Sequence, residues 1–283
     1  MKIKVVAWNM NQRSTEGNWP VLRGDPDLTD TDIAILCEAT GLPDLPKANG
    51  LKAIGNGSTK GLGCPCPEPD SCRRRRYSTA IAIPQAKREA DGLVRRGEPL
   101  PLRPSRPGSW VAARVEIGDL AITAIALYGL YDEPYVASVR RSLSDLAPLL
   151  EEKVHSEYLV LGGDLNILAG KPPRKKAHPG LEVLEEIKAY GLVDCLKSAL
   201  PPDRYRDPLV RTDMDNCQCR LHESCTHTRT YYDRNRPHIP YQDDYLFASP
   251  ALAGDGRLTS CFATQVGPGC PSDHAPIVAV FEA

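Results

Sequence analysis

No apolar run in this 283-residue chain approaches a membrane span; the longest, Leu120 to Leu127, has the length of a strand. The first apolar stretch, Val5 to Trp8, is too short for the core of a secretory signal and reads as a strand, so a cytoplasmic protein is expected. A large charge of either sign is also missing, since the formal net charge is −1, and the whole molecule is therefore no polycation. No Gly/Ser-rich linker divides the chain, which favours one domain over 1–283. Aromatic residues make up only 6% of the chain, and just Tyr77 adjoins the arginine run Arg73 to Arg76, which leaves no platform for stacking single-stranded bases. With 41% hydrophobic and 25% charged residues the composition is that of an ordinary globular protein and excludes intrinsic disorder. At this length about three-quarters of the unfolded surface is buried on folding, so no disulfide framework is required.

Charge and cysteine are unevenly placed. Between Arg73 and Arg114 ten Arg and one Lys stand against Glu89, Asp91 and Glu98, a local net of +8 that leaves −9 for the remainder. Such asymmetry suits an anionic partner and equally a solvated surface loop. Ten cysteines are more than packing requires in a reducing compartment, where metal binding is the commoner explanation. The spacing Cys-x-Cys-x5-Cys occurs twice, at Cys64, Cys66, Cys72 and at Cys217, Cys219, Cys225. In the second group Cys217, Cys219, His222 and Cys225 supply enough donors for a structural tetrahedral Zn²⁺, with His227 as an alternative to His222. Cys37, Cys195 and Cys261 lie among apolar neighbours and read as small core residues.

Short β-branched runs bounded by Gly, Pro or Asp recur along the chain. Strands are expected at 3–7, 33–36, 78–83, 110–117, 120–127, 158–161, 245–247 and 277–281. Several are apolar on both faces, as strands covered by other layers are. Helical spacing of Val136, Val139, Leu143, Leu146 and Leu150 predicts a helix over 133–153 with a kink or break at Pro148. A second helix is expected over 181–190, stopped by Gly191. Segments 55–76 and 200–225, rich in Pro, Asp, Cys and Arg, read as long irregular loops.

Polar clusters stand at the ends of these strands: Trp8-Asn9, Cys37-Glu38, Gly163-Asp164-Leu165-Asn166, Asp243-Asp244-Tyr245 and Ser272-Asp273-His274. Each alone is ordinary turn chemistry. In this order, and with Gly-Gly-Asp-Leu-Asn166 and Ser-Asp-His274 as the most specific pieces, the chain resembles the endonuclease/exonuclease/phosphatase superfamily from Asn9 to His274. The resemblance implies a deoxyribonuclease I-like α/β (α+β) fold, a four-layer sandwich of two packed mixed β-sheets flanked by helices. It further implies that Glu38 holds Mg²⁺ or Mn²⁺ with Asn9 and Asp273 beside it, all oxygen-bearing groups as a hard ion requires. By the same resemblance Asp164 orients or deprotonates the attacking water, Asn166 and Tyr128 contact the phosphate, and His274 donates to a phosphoryl oxygen. Asp244 would then accept from the second His274 nitrogen, although Asp243, one residue earlier, competes for that role.

The sequence departs from the family pattern at Cys37, where Gln is common, and at Gln242-Asp243-Asp244-Tyr245, where Arg-hydrophobic-Asp-Tyr is common. No serine or cysteine nucleophile sits beside a base in a recognisable motif, so direct attack by water is expected. Phosphoester hydrolysis needs the developing charge on phosphorus stabilised and a water prepared, which this donor set can do. A nuclease acting on nucleic acid is the leading reading. A small-molecule or lipid phosphoesterase of the same fold, or a silent zinc-stabilised binding module, are its rivals.

Overall fold

The computed structural model describes residues 1–11, 15–39, 42, 47–48, 50–57, 78–84, 95–130, 135–169, 179–199, 227–235, 241–264 and 272–283. Two six-stranded mixed sheets form its centre. The first has the order β11-β12-β1-β2-β4-β3, from β1 (Lys2–Asn9), β2 (Ile33–Cys37), β3 (Leu51–Gly57), β4 (Ser78–Pro84), β11 (Leu258–Ala263) and β12 (Ile277–Glu282). The second runs β5-β6-β7-β8-β10-β9, from β5 (Arg95–Pro99), β6 (Trp110–Ile117), β7 (Leu120–Leu127), β8 (Leu159–Ala169), β9 (Val193–Asp194) and β10 (Gln242–Ala248). Each sheet has one parallel pair near its middle, β1 with β2 and β7 with β8, and is otherwise antiparallel.

Period-two alternation assigns each strand's side chains to two different layers. On β1, Ile3, Val5 and Ala7 point between the sheets, where they meet Val111, Ala113, Val115, Ala126, Val160 and Leu246 of the second sheet. Val6 and Trp8 point the other way, onto Trp19 and Leu22 of helix α1 (Thr15–Gly24). The second sheet repeats the arrangement. Ile125, Leu127, Leu161 and Phe247 face outward and are covered by Val139, Leu143, Leu146 and Leu150 of α2 (Tyr135–Glu151), together with Val183, Leu184 and Ile187 of a later helix spanning Pro179–Ala189. Four layers result, and the apolar character of both strand faces has its cause in that stacking.

Three short helices complete the described elements: α3 (Lys153–Ser156), α5 (Cys195–Ser198) and α6 (Pro250–Ala253), with α4 the helix at Pro179–Ala189. Pro148 does not break α2, which continues to Glu151; the interruption falls at Glu152, whose extended φ −75° and ψ 120° separates α2 from α3. A proline near the end of a helix removes one bond that the last turn can forgo, so it ends within a turn instead of kinking. Residues 55–57, expected in a loop, belong to β3 and pair with β4 from Gly55↔Ala80 to Gly57↔Ser78. The rest of the two expected loops, 58–76 and 200–225, lies outside the described residues. Cys195 and Cys261 are buried in the layer between the sheets, as expected of small core residues. Among the described residues no helix is long and apolar enough to cross a membrane.

Candidate active site

Strands β1, β2 and β7 end at the same edge of the sandwich, and the polar clusters gather there. Asn9 closes β1, Glu38 follows β2, Tyr128 follows β7, Asp164 sits in β8, Asp244 in β10, and His274 precedes β12. The Asn9 side chain donates from Nδ2 to Asp164 Oδ2 at 2.7 Å and to Glu38 Oε1 at 3.4 Å, so one amide spans the two carboxylates. Its Oδ1 accepts the Asn11 backbone N–H at 2.9 Å, which settles the amide's orientation and aims nitrogen, not oxygen, at Glu38. Asn11 in turn donates from Nδ2 to Asp273 Oδ1 at 2.9 Å. A continuous run of hydrogen bonds thereby joins Glu38 to Asp273 through two asparagines. Tyr128 donates its phenol to Glu38 Oε1 at 2.6 Å, so the tyrosine implied to contact phosphate is bonded to the implied metal ligand.

Asp164 owes its place to a bulge. Asp244 pairs with Asp164 and Gln242 with Ala169, so four residues of β8, 165–168, lie opposite the single Asp243. Asn166 occupies this bulge at φ 53° and secures it at both ends: its N–H donates to Asp164 Oδ1 at 2.8 Å and its Nδ2 to the Gly129 carbonyl at 2.7 Å. Bulges re-aim side chains beside functional sites, and here the effect is to turn Asp164 towards Asn9. Glu38 at φ 51° and Asn11 at φ 42° are also left-handed, so three of the five non-glycine positive φ values among the described residues fall at this edge. Strain concentrated in one place marks a site that the surrounding fold holds by force.

His274 Nδ1 lies 2.8 Å from Asp244 Oδ2, which resolves the competition with Asp243 in favour of Asp244. Thr230 Oγ1 accepts both the Asp243 and Asp244 backbone N–H groups at 3.0 Å, fixing which of the two carboxylates meets the imidazole. Ser272 Oγ bonds the Asn9 carbonyl and accepts the His274 N–H, tying the histidine to β1. The Tyr231 ring lies against the imidazole with centroids 4.9 Å apart. Thr230, Tyr231 and Asn11 carry no motif that sequence reasoning could have found; their part is visible only once strands distant in sequence are adjacent.

The electrostatics follow from burial. Burial, then the neighbouring Asp243 charge, push the Asp164 carboxyl well above the usual range, with His274 opposing them. Burial draws the His274 imidazole down, but Asp244, through charge and hydrogen bond, and then Asp164 and Asp243 outweigh it and hold the ring well above its ordinary value. Burial and then Glu38 raise the Tyr128 phenol, keeping it a donor. Burial and Asp273 push Tyr231 up to about 12. Beneath these groups Cys37, at the end of β2, donates to the Leu127 carbonyl and accepts the Asp164 N–H, each at 3.4 Å, so this thiol is more than the apolar filler its neighbours suggested. Burial and the Asp164 charge raise it well above the thiol range.

All eight residues implied for the site therefore meet at one edge. Among the described residues one compact group of donors for a cation is present, and two further carboxylates stand at the same edge. Glu38 and Asp273 are half-buried carboxylates, whereas Asp164, Asp244 and His274 are buried and offer donor atoms within 4.8 Å of one another. The zinc set Cys217, Cys219, His222 and Cys225, the triplet Cys64, Cys66 and Cys72, and the run Arg73 to Arg76 lie outside the described residues; His227, partly buried, lies within them.

No family model matches the chain, and no curated protein matches it significantly. Solved structures do match over the full length. An AP endonuclease from Archaeoglobus fulgidus aligns at TM-score 0.61 and 19% identity, covering 99% of this chain and 100% of its own. A 3′-5′ exonuclease (NExo) from Neisseria meningitidis aligns at 0.62 and 17%, with the same coverage, and truncated Caenorhabditis elegans TDP2 at 0.56 and 16%, covering 100% and 98%. The sheet order, the four layers and these likenesses agree: the chain has a deoxyribonuclease I-like fold.

Proposed function

We propose that the protein is a divalent-metal-dependent phosphohydrolase, and specifically a nuclease that cleaves phosphodiesters by direct attack of water. The observation that supports this most is the gathering of Asn9, Glu38 and Asp164 in one set of hydrogen bonds and Asp244 and His274 in another, the two tied together by Ser272, from both sheets and from positions up to 265 residues apart. Chance burial does not favour bringing three carboxylates and an imidazole together, because each buried charge costs free energy unless something compensates it.

The donor chemistry fits a hard divalent ion at the half-buried rim. Glu38 and Asp273 present carboxylate oxygens there, with Asn9 beside them and its Nδ2 directed at Glu38. When bound, the ion supplies positive charge for the developing charge on the phosphoryl group. The buried set suits an ion less well. His274 Nδ1 is already engaged by Asp244 Oδ2 at 2.8 Å, so both of these groups have spent a donor atom on each other.

Asp164 is placed to accept a proton from water. Its carboxyl is raised by burial towards the range in which a general base is effective, and Asn9 and Asn166 hold it still. His274, bonded to Asp244 through Nδ1, keeps Nε2 for a phosphoryl oxygen. Asn166 spends its amide on Gly129 and, at 3.4 Å, on Asp164; a phosphate contact would draw on that longer arm. A nuclease is favoured over a phosphoesterase of small molecules or lipids because two of the full-length structural relatives are an AP endonuclease and a 3′-5′ exonuclease. Cytoplasmic placement belongs to the same proposal, as does one domain over 1–283.

The test is a substrate panel with Mg²⁺, Mn²⁺ or EDTA: duplex DNA, single-stranded DNA, RNA, abasic DNA and simple phosphoesters. Metal-dependent cleavage of a nucleic acid is expected. Hydrolysis confined to simple phosphoesters would transfer the site to the second class of substrate, and no hydrolysis of any member would leave a binding module.

A further inference from the structure

Resting on the hydrolase reading above, we propose that Cys37 is a positioning residue whose thiol sets the spacing between the Asp164 base and the Glu38 carboxylate. Cys37 belongs to the first sheet, yet both hydrogen bonds of its thiol cross to the second: S–H to the Leu127 carbonyl at the end of β7, and Asp164 N–H in β8 to Sγ. Every end of this bridge adjoins a site group. Glu38 follows Cys37 in the chain, Tyr128 follows Leu127, and the third end is the amide of Asp164 itself. The Tyr128 phenol on Glu38 Oε1 at 2.6 Å closes the ring, so a displacement of the thiol moves Asp164, Glu38 and Tyr128 relative to one another.

The chain clears space for the sulfur. Gly163, at φ +133°, has no room for a side chain, because a Cβ there would stand 2.7 Å from Cys37 Sγ and 2.3 Å from the Leu127 carbonyl oxygen. The thiol thus packs directly on the backbone that carries Asp164. A cysteine acting only as a small apolar filler would need no partners at all, and the two roles predict opposite orders for substitution. For a filler, Ala is the mild change and Ser the harsh one, since Ser buries a hydroxyl. For a bridge, Ser retains a donor and an acceptor and Ala retains neither.

The experiment compares the full-length wild type, Cys37→Ser and Cys37→Ala with Mg²⁺ on the substrate cleaved best in the panel, and measures hydrogen exchange of the Asp164 amide in all three. Misplacement of a catalytic group by a fraction of an ångström to an ångström costs about ten- to a hundredfold. Cys37→Ala should therefore lose kcat by about that factor with KM changed less than about twofold, while its Asp164 amide exchanges faster than in wild type. Cys37→Ser should recover part of both losses. Wild-type kcat and exchange in Cys37→Ala, or a Ser variant worse than Ala, would overturn the proposal. An inert wild type would instead overturn the hydrolase reading, and the order of the exchange rates would still decide whether the bridge exists.

Discussion

His274 shows how one side chain can be set by effects of opposite sign. Burial favours the neutral ring, whereas Asp244 at 2.8 Å, with Asp164 and Asp243 behind it, favours the cation and prevails. The folded pKa thus lies above the unfolded value of about 6.5, so the folded state binds the proton more tightly. The stability this contributes is fully present below about pH 6.5 and is lost as pH rises through the folded value. Asp164, also raised, acts in the same direction. Asp244→Asn removes the largest of the raising causes and should flatten the decline of stability above neutral pH, as followed by urea denaturation across a pH series. The same variant should lower kcat by about a hundredfold or more, since general acid and base groups contribute that much. An unchanged slope and unchanged turnover would mean that the ring is held in its charged form by something other than Asp244.

At the scale of elements, the strands were legible in proportion to how deeply they are buried. β6 and β7 coincide with the expected 110–117 and 120–127: β7 writes itself as a nearly unbroken apolar run, and β6 is apolar apart from Arg114 and the exposed Glu116 near its end. β3 (LKAIGNG), β5 (RRGEP) and β11 (LTSCFA) were not expected, since edge strands carry Gly, Arg, Pro and Ser that resemble turns. The sequence order of the polar clusters suggested that Asn9, Glu38, Asp164, Asp244 and His274 gather, and the structure brings them to one edge, although Asp164 and Asp244 lie within β8 and β10 and not at their ends. The choice of Asp244 over Asp243 was not legible, because it depends on Thr230 and on register. The β8 bulge is similarly hidden, and two glycines make it possible. A Cβ on Gly129 would stand 2.2 Å from the Leu165 carbonyl oxygen, and one on Gly163 2.3 Å from that of Leu127. Backbone cannot yield as a flexible side chain can, so Gly129→Ala and Gly163→Ala should each destabilise the fold by about 1–3 kcal/mol. Both should also lose turnover beyond what the unfolded fraction explains. Denaturation midpoints and kcat measured well below those midpoints separate the two effects.

The whole molecule is pinned at both ends of the sandwich, by different chemistry. Away from the site, Asp32, beside the start of β2, accepts Arg95 Nε of β5 at 2.7 Å and the Lys4 N–H at 2.8 Å, with the Asp32 and Arg95 side chains both 1% exposed. Removing one partner of such a buried pair leaves a charge in a medium of low dielectric. Asp32→Asn should cost about 3–5 kcal/mol in urea denaturation, and because the pair lies at the opposite end from Asp164, the folded fraction should keep its kcat. At the site end Glu38, Asp164, Asp243, Asp244 and Asp273 gather, with His274 bonded to Asp244. Like charges held together by the fold are relieved by a bound cation, so the folded state should bind Mg²⁺ and gain stability as the ion concentration rises, by about 2.7 kcal/mol at a hundred times Kd. Glu38→Gln removes one charge from the proposed ligand set while keeping a side chain that can still meet Tyr128 and Asn9. Without metal this variant should be at least as stable as wild type. With metal it should gain less and require a higher Mg²⁺ concentration for half-maximal turnover, and EDTA should abolish turnover in both. Thermal melts and a metal titration of activity check this together: equal Mg²⁺ affinity in the two proteins would remove Glu38 from the site and leave the buried Asp164, Asp244 and His274 set as the remaining place for an ion.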